Sequence, residues 1–315
     1  MNKLRIDLFS HLRVQLYTTP KGYHLFRQYP PSAMRFESVK GSYDGYEYDM
    51  RDSRYKPVRN KKKLGLIAIV IGIIILSIVL IRKQPTAHPE YFRPVVGSSY
   101  YHQRTGDIDM NQNVEIYSIP LFSGDKIKDL KSKGKKVTCQ YSVGLWKEGQ
   151  PELDKKYLGK QIENNAFAMD VRQPAVQSFI ASFVDKASQF GCDGFEPLDM
   201  NVFSQDNDLD LSIDDQLKFS RWLADKAHSK GLFTGLVDAV LQLSAIDVFD
   251  YALAINCMMT NNCPNYSEVI AKGKPVFDME TSLLPDKFCD RTNSLKFYAF
   301  TKPSDFGPGA EYCQK

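Results

Sequence analysis

The sequence predicts an α/β protein: a (β/α)8 TIM-like barrel, preceded by one transmembrane helix and a disordered N-terminal tail. Three observations predict it. Leu64–Ile81 is a long apolar run without a charge. After it, short apolar runs alternate with amphipathic helical patterns, as a parallel sheet with helical crossovers requires. All six cysteines (Cys139, Cys192, Cys257, Cys263, Cys289, Cys313) also lie after it, as expected of a domain on the oxidising side of a membrane.

The run reads LGLIAIVIGIIILSIVLI. At helical rise it covers roughly 27 Å, close to the hydrocarbon thickness of a bilayer. A core helix would carry a polar face, and a cleaved leader would be followed by a small-residue site, which is missing. Arg51, Arg54, Lys56, Arg59, Lys61, Lys62 and Lys63 precede it, whereas Arg82, Lys83 and Arg93 follow. The positive-inside rule then places the N-terminus in the cytosol and the C-terminal domain in the lumen or outside the cell. The expected protein is a single-pass, type II membrane protein with a signal-anchor. Residues 1–63 balance at +8 and the remainder at −4. An anionic cytosolic leaflet accounts for the basic part, so no nucleic-acid partner is expected.

Residues 1–63 are rich in tyrosine and without a sustained period, which predicts a disordered cytosolic tail. Residues 82–97 hold several prolines and read as a stalk. Residues 98–315 are long enough for one domain with a substantial core. Strands are expected at Val114–Ile119, Lys136–Tyr141, Phe167–Val171, from Gly194, and at Leu232–Val237, Tyr251–Ile255, Pro275–Asp278 and Phe297–Phe300. Helices are expected at Asp125–Lys133, at Pro174–Phe190 with Pro at the first turn and Gly191 beyond, and at Tyr266–Lys272. Another runs from a Ser212 cap to Lys230, with Asp214 and Asp215 complementing its dipole. A doubly wound sheet is the alternative, but no glycine-rich phosphate turn follows the first strand.

In a barrel, reactive groups gather at the C-terminal ends of the strands. Those positions carry Glu196, Asp199, Asp238, Asp278 and Glu280, and paired carboxylates are the usual machinery of glycoside hydrolysis. Asp199, Glu280 and Asp238 are the candidate catalytic residues. Glu196, Trp146, Tyr141 and Gln103 are the candidate substrate-binding residues, Trp146 as a stacking surface. Purely structural hydrogen bonds for Glu196 and Glu280, and core packing for Trp146, are the competing readings. No metal cluster, cofactor motif or Ser/His/Asp elbow is present in the sequence. Six cysteines allow 15 pairings. Cys257–Cys263 and Cys289–Cys313 are the expected disulfides, while Cys139 and Cys192 read equally well as buried thiols. Asn265 opens the glycosylation sequon Asn-Tyr-Ser.

At several stretches the chain resembles the endo-α-1,4-polygalactosaminidase family of glycoside hydrolases, which are (β/α)8 barrels. They are VEIYSIPLF (114–122), KKVTCQYSVGLWKEGQPE (135–152), MDVRQPAVQSFIASFVDKASQFGCDGFEP (169–197), DDQLKFSRWLADKAHSKGLFTGL (214–236), YALAINC (251–257) and PVFDMET (275–281). The resemblance implies a hydrolase of amino-sugar polymers. It departs at the chemistry. Where the family writes Y-D-x-D, Tyr117 is followed by Ser118 and Pro120. Where it writes L-K-N-A, the chain has Leu236, Val237, Asp238, Ala239. Aligned without a gap, the two family catalytic carboxylates fall on Leu198 and Ile255. Glu196, Trp146, Glu280 and the Cys257–Cys263 pair are kept. An alkyl side chain can neither protonate a leaving oxygen nor attack an anomeric carbon. The expectation is a membrane-tethered, catalytically impaired barrel that binds a polysaccharide or another surface partner. The alternatives are an active glycosidase with a rearranged carboxylate pair and a structural or adhesive ectodomain.

Overall fold

A computed structural model describes residues 3–7, 13–19, 22–26, 46–47, 56–57, 88–163 and 165–313. The chain divides into two units, Met1–Pro85 and Thr86–Lys315. In the first, Lys3–Asp7, Arg13–Thr19 and Gly22–Phe26 pair as an antiparallel sheet, and Tyr46–Glu47 pairs with Lys56–Pro57. The tail expected to be irregular is extended at these segments. Among the described residues no helix is long and apolar enough to cross a membrane. The run Leu64–Ile81 lies outside them.

The second unit is organised by one curled sheet. β1 (Tyr100–His102), β2 (Ile116–Pro120) and β3 (Lys136–Ser142) begin it. The chain then leaves for a small antiparallel sheet of β4 (Leu145–Lys147), β5 (Leu158–Glu163) and β6 (Ala166–Met169). It returns with β7 (Gly194–Leu198), β8 (Phe233–Val237), β9 (Tyr251–Ile255), β10 (Val276–Glu280) and β11 (Tyr298–Thr301). These eight strands are parallel and neighbour one another in chain order, and β12 (Glu311–Tyr312) adds antiparallel to β11. The curl brings the last parallel strand back toward the first: the rings of Tyr100 and Phe300 lie 6.3 Å apart. This arrangement is consistent with a TIM-like barrel.

The count of eight expected strands agrees with the observed number through two compensating errors. The run beginning at Phe167 is strand, but it pairs with Leu145–Lys147 outside the main sheet. The true first strand, β1, is only three residues long and carries a buried histidine, so neither its length nor its alternation marks it.

Helices α1 (Gly124–Ser132), α2 (Pro174–Gln189), α3 (Ile213–Ser229), α4 (Ser267–Ala271) and α5 (Cys289–Ser294) lie in the connections. Pro174 sits in the first turn of α2. Ser212 caps α3 in a reciprocal capping box with Asp215, a motif that satisfies two otherwise orphaned N–H groups. The outward residues of β3 and β7, Val137, Cys139, Tyr141 and Phe195, share one core with Val176, Ile180 and Phe183 of α2. The concave face holds a second core of Tyr100, Ile116, Phe233, Val237, Tyr251, Leu253, Phe277, Met279 and Phe300. Strand alternation therefore assigns each residue near the C-terminal edge to one face.

Three disulfides fasten the unit: Cys139–Cys192, Cys257–Cys263 and Cys289–Cys313. The two expected pairs form. Cys139 and Cys192, readable in sequence as thiols, are joined, tying β3 to the turn before β7.

Candidate functional site

On the concave face Glu196 is fully buried. Its Oε2 accepts from the Tyr100 hydroxyl at 2.5 Å and the Tyr251 hydroxyl at 2.6 Å. Its Oε1 accepts from Ser118 Oγ at 2.7 Å and lies 3.0 Å from His102 Nδ1. The Arg104 Nε–H donates to His102 Nε2 at 3.1 Å, so that nitrogen is the acceptor and Nδ1 carries the proton toward Glu196. Burial works against a charged Glu196, but the hydrogen bonds from His102 and the two tyrosine hydroxyls outweigh it and hold its pKa below the ordinary value. Burial lowers the His102 pKa as well. The pair is thus a carboxylate bonded to a neutral imidazole. With these donors around it and no exposure, Glu196 is a strut across the inner face, tying β1, β2 and β9 to β7.

The mouth is the C-terminal edge above that strut. Three successive strands end on a non-glycine residue in the left-handed region: Asp199 (φ 60°), Asp238 (φ 45°) and Asn256 (φ 55°). Such backbone strain gathers at functional sites. The Asp199 turn packs so closely that a Cβ on Gly144 would stand 1.9 Å from the Asp199 carbonyl oxygen. Asn201 Nδ2 donates to the Asp238 carbonyl. Gln242 Nε2 donates to the Met200 carbonyl at 2.8 Å, binding the loops after β7 and β8 together.

Asp238 retains solvent exposure, yet the walls of the mouth desolvate its carboxyl. That desolvation pushes its pKa up to about 6 against the opposing Ile255 N–H and Arg104 charge. Leu198 and Ile255, the residues just before two of the left-handed positions, are half-buried and pack on the concave core. Phe306 joins them on that core, with the Arg104 guanidinium 4.6 Å from its ring centroid.

The other sequence candidates fall elsewhere. Glu280 is fully buried, and its Oε1 accepts from the Met258 N–H at 2.7 Å. Because Phe277 and Met279 face the concave core, Asp278 and Glu280 face outward. Burial raises the pKa of both, and Glu280 adds to the shift at Asp278. Tyr141 also faces outward, stacked on Phe183 with centroids 3.8 Å apart. Gln103 is fully buried, taking bonds from the Tyr101 hydroxyl and Asp109 N–H and giving bonds to the carbonyls of Thr105 and Asp107. It shapes the loop after β1. Trp146 is half-buried in the small sheet, with its Nε1–H bonded to the Pro151 carbonyl at 3.0 Å. Asn265 is exposed. Cys257, Cys263 and Asp278 converge within 4.8 Å, but a disulfide sulfur is not a thiolate ligand, so this is not a metal site while the bridge is closed. Arg104 and Phe306 were not marked by the sequence. Both come from loops, and no periodicity announces them.

The chain belongs to glycoside-hydrolase family GH114, whose family model matches residues 82–315. Among solved structures it is similar to Ega3 of Aspergillus fumigatus in complex with galactosamine, with 25% identity and a TM-score of 0.68 over 73% of this chain and 100% of that one. It is also similar in fold to the glycoside hydrolase domain of PelA from Pseudomonas aeruginosa, with 12% identity and a TM-score of 0.56 over 68% of this chain and 97% of that one. No curated protein matches it in sequence.

Proposed function

We propose that this chain is a membrane-tethered member of GH114 that binds an amino-sugar polysaccharide and is impaired in its hydrolysis. One observation carries the reading: Leu198 and Ile255 occupy the mouth, packed on the concave core at the ends of β7 and β9. The family resemblance puts the catalytic carboxylates at these two positions. Of the five candidate carboxylates, Glu196, Asp278 and Glu280 are fully buried, and Asp199 and Asp238 keep solvent exposure. The galactosamine held by Ega3 supports an amino-sugar ligand. The flanking charge of Leu64–Ile81 and three disulfides support a tether with the domain on the non-cytosolic side. Asn265 is then a surface acceptor for a glycan.

The test incubates the full chain in detergent micelles with α-1,4-linked oligogalactosamine and follows both retention and reducing ends. Retention without new reducing ends is the expected result. A second reading draws on Asp238, whose carboxyl titrates near 6 as a general acid would. Cleavage by the native chain that Asp238→Asn abolishes establishes that reading and removes the first.

A further inference from the structure

The residues that lead into the barrel are fastened to its base, the end at which the parallel strands begin. His88 Nε2 lies 3.2 Å from Asp225 Oδ1, and the Tyr91 ring stacks on His228 with centroids 4.9 Å apart. Both partners stand near the C-terminal end of α3. The Tyr91 hydroxyl reaches Asp250, one residue ahead of β9, at 3.4 Å. Phe92 packs edge-on against Phe233, the first residue of β8, with the ammonium of Lys136, the first residue of β3, over its ring. All of these partners lie at the end opposite the mouth. Six residues, 82–87, join Ile81 to His88, and a fully extended chain covers that gap in at most about 25 Å. A span ending at Ile81 therefore keeps the base near the bilayer and carries the mouth at the far ends of the strands.

The base holds side chains suited to such a surface. Val95 and Val96, in the turn ahead of β1, are both exposed, Val95 by 61%. The lysines of KSKGKK (131–136) stand where α1 ends and β3 begins. Hydrogen bonds join the two features: the Glu115 N–H donates to Ser99 Oγ and the Lys136 N–H to the Glu115 carbonyl. Glu115, Asp129 and Asp193 are the carboxylates beside these lysines, and Asp193 is held by Lys131 at 2.6 Å and Lys136 at 3.7 Å. Lys133 is exposed, and Lys135 gives the Val114 carbonyl one of its three donors. Exposed aliphatic carbon beside lysine ammonium groups suits the headgroup zone, where the carbon leaves water and the ammonium meets phosphate. We propose that the base of the barrel docks on the bilayer, with Val95 and Val96 among the phospholipid headgroups, Lys133 and Lys135 at their phosphates, and the mouth turned away. This rests on the tether of the preceding reading and adds the face that meets the lipid.

The experiment uses the full chain in vesicles of phosphatidylcholine and phosphatidylserine that carry a headgroup nitroxide. All six cysteines are in disulfides, so an added cysteine is the sole thiol for a fluorophore. Asn113→Cys labels the exposed turn ahead of β2 at the base, and Leu284→Cys labels the exposed loop after β10 at the rim of the mouth. The nitroxide should quench the label at position 113 and spare the one at 284. Val95→Ser with Val96→Ser should lower the ratio of docked to free barrel about tenfold, and Lys133→Gln with Lys135→Gln about fivefold for each lysine. Equal quenching at both positions, or more at 284, overturns the orientation. Quenching at 113 that neither pair of substitutions reduces overturns the assignment to this patch. A chain that survives an alkaline wash in the vesicles yet shows no quenching at 113 overturns the docking and leaves the tether standing. A chain that the wash removes overturns both.

Discussion

Replacing Glu196 by Gln removes one charge from the centre of the concave face and keeps the shape. In the native chain, four groups from three strands converge on that carboxylate, all fully buried. Gln keeps one acceptor oxygen, and its NH2 now points at groups that also donate. At least one buried donor loses its partner, costing about 1–3 kcal/mol, and the remaining bonds lose charge assistance of about 1 kcal/mol. The sum is about 3 kcal/mol, and in a domain of this size it lowers the unfolding temperature by roughly 6–12 °C. The pH dependence has a definite sign. The folded Glu196 pKa lies below its unfolded value. Its stabilisation is therefore complete above the unfolded pKa and is lost as pH falls through the folded one. Thermal unfolding of the full chain between pH 3 and 7 checks both points, and the gap to Glu196→Gln should be widest near pH 7 and close on acidification. A variant within about 0.5 kcal/mol of wild type at pH 7, or a gap that widens in acid, refutes the strut.

Cys139→Ser with Cys192→Ser opens a bridge of sequence separation 53, and chain entropy sets the loss at about 4 kcal/mol, measurable by urea unfolding under non-reducing conditions. Gly144→Ala drives a methyl into the Asp199 carbonyl; it should displace that turn and weaken oligosaccharide binding several-fold, whereas wild-type affinity would show the turn does not shape the site. Asp278 has its pKa raised by burial and by Glu280, so it favours folding most below its unfolded pKa, and that contribution is lost as pH rises through the folded value. Asp278→Asn should flatten this part of the pH–stability curve and leave the protein at least as stable at pH 7; a large loss at pH 7 would show that the ionised carboxylate has a partner.

The repeating part of the fold was legible because it obeys simple periodicities. The apolar stripe of α2, with Pro174 ahead of it, and the Ser212–Asp215 cap of α3 are local signals, and local signals survive without tertiary context. β1 was not legible, because Tyr100-Tyr101-His102 is strand only by virtue of what it pairs with and what Glu196 needs. Facing direction was the harder matter. Tyr141, Asp278 and Glu280 sit at strand ends where function is expected, and a shift of one residue in alternation sends each to the outer face. Glu196 is the reverse case: it faces inward but is spent on the hydroxyls of Tyr100, Tyr251 and Ser118 and on His102. Arg104 and Phe306 reach the mouth from loops far apart in sequence, and their meeting depends on the curl that brings the end of the sheet back to β1.

Leu198 and Ile255 are the two residues proposed to separate this mouth from that of a hydrolase. The most direct measurement is reducing-end release from α-1,4-linked oligogalactosamine by the wild-type chain and by Leu198→Asp/Ile255→Glu, both confirmed as folded. No release above background is expected from the wild type, and measurable release from the double variant. Sustained release by the wild type, unaffected by either substitution, would overturn the proposal.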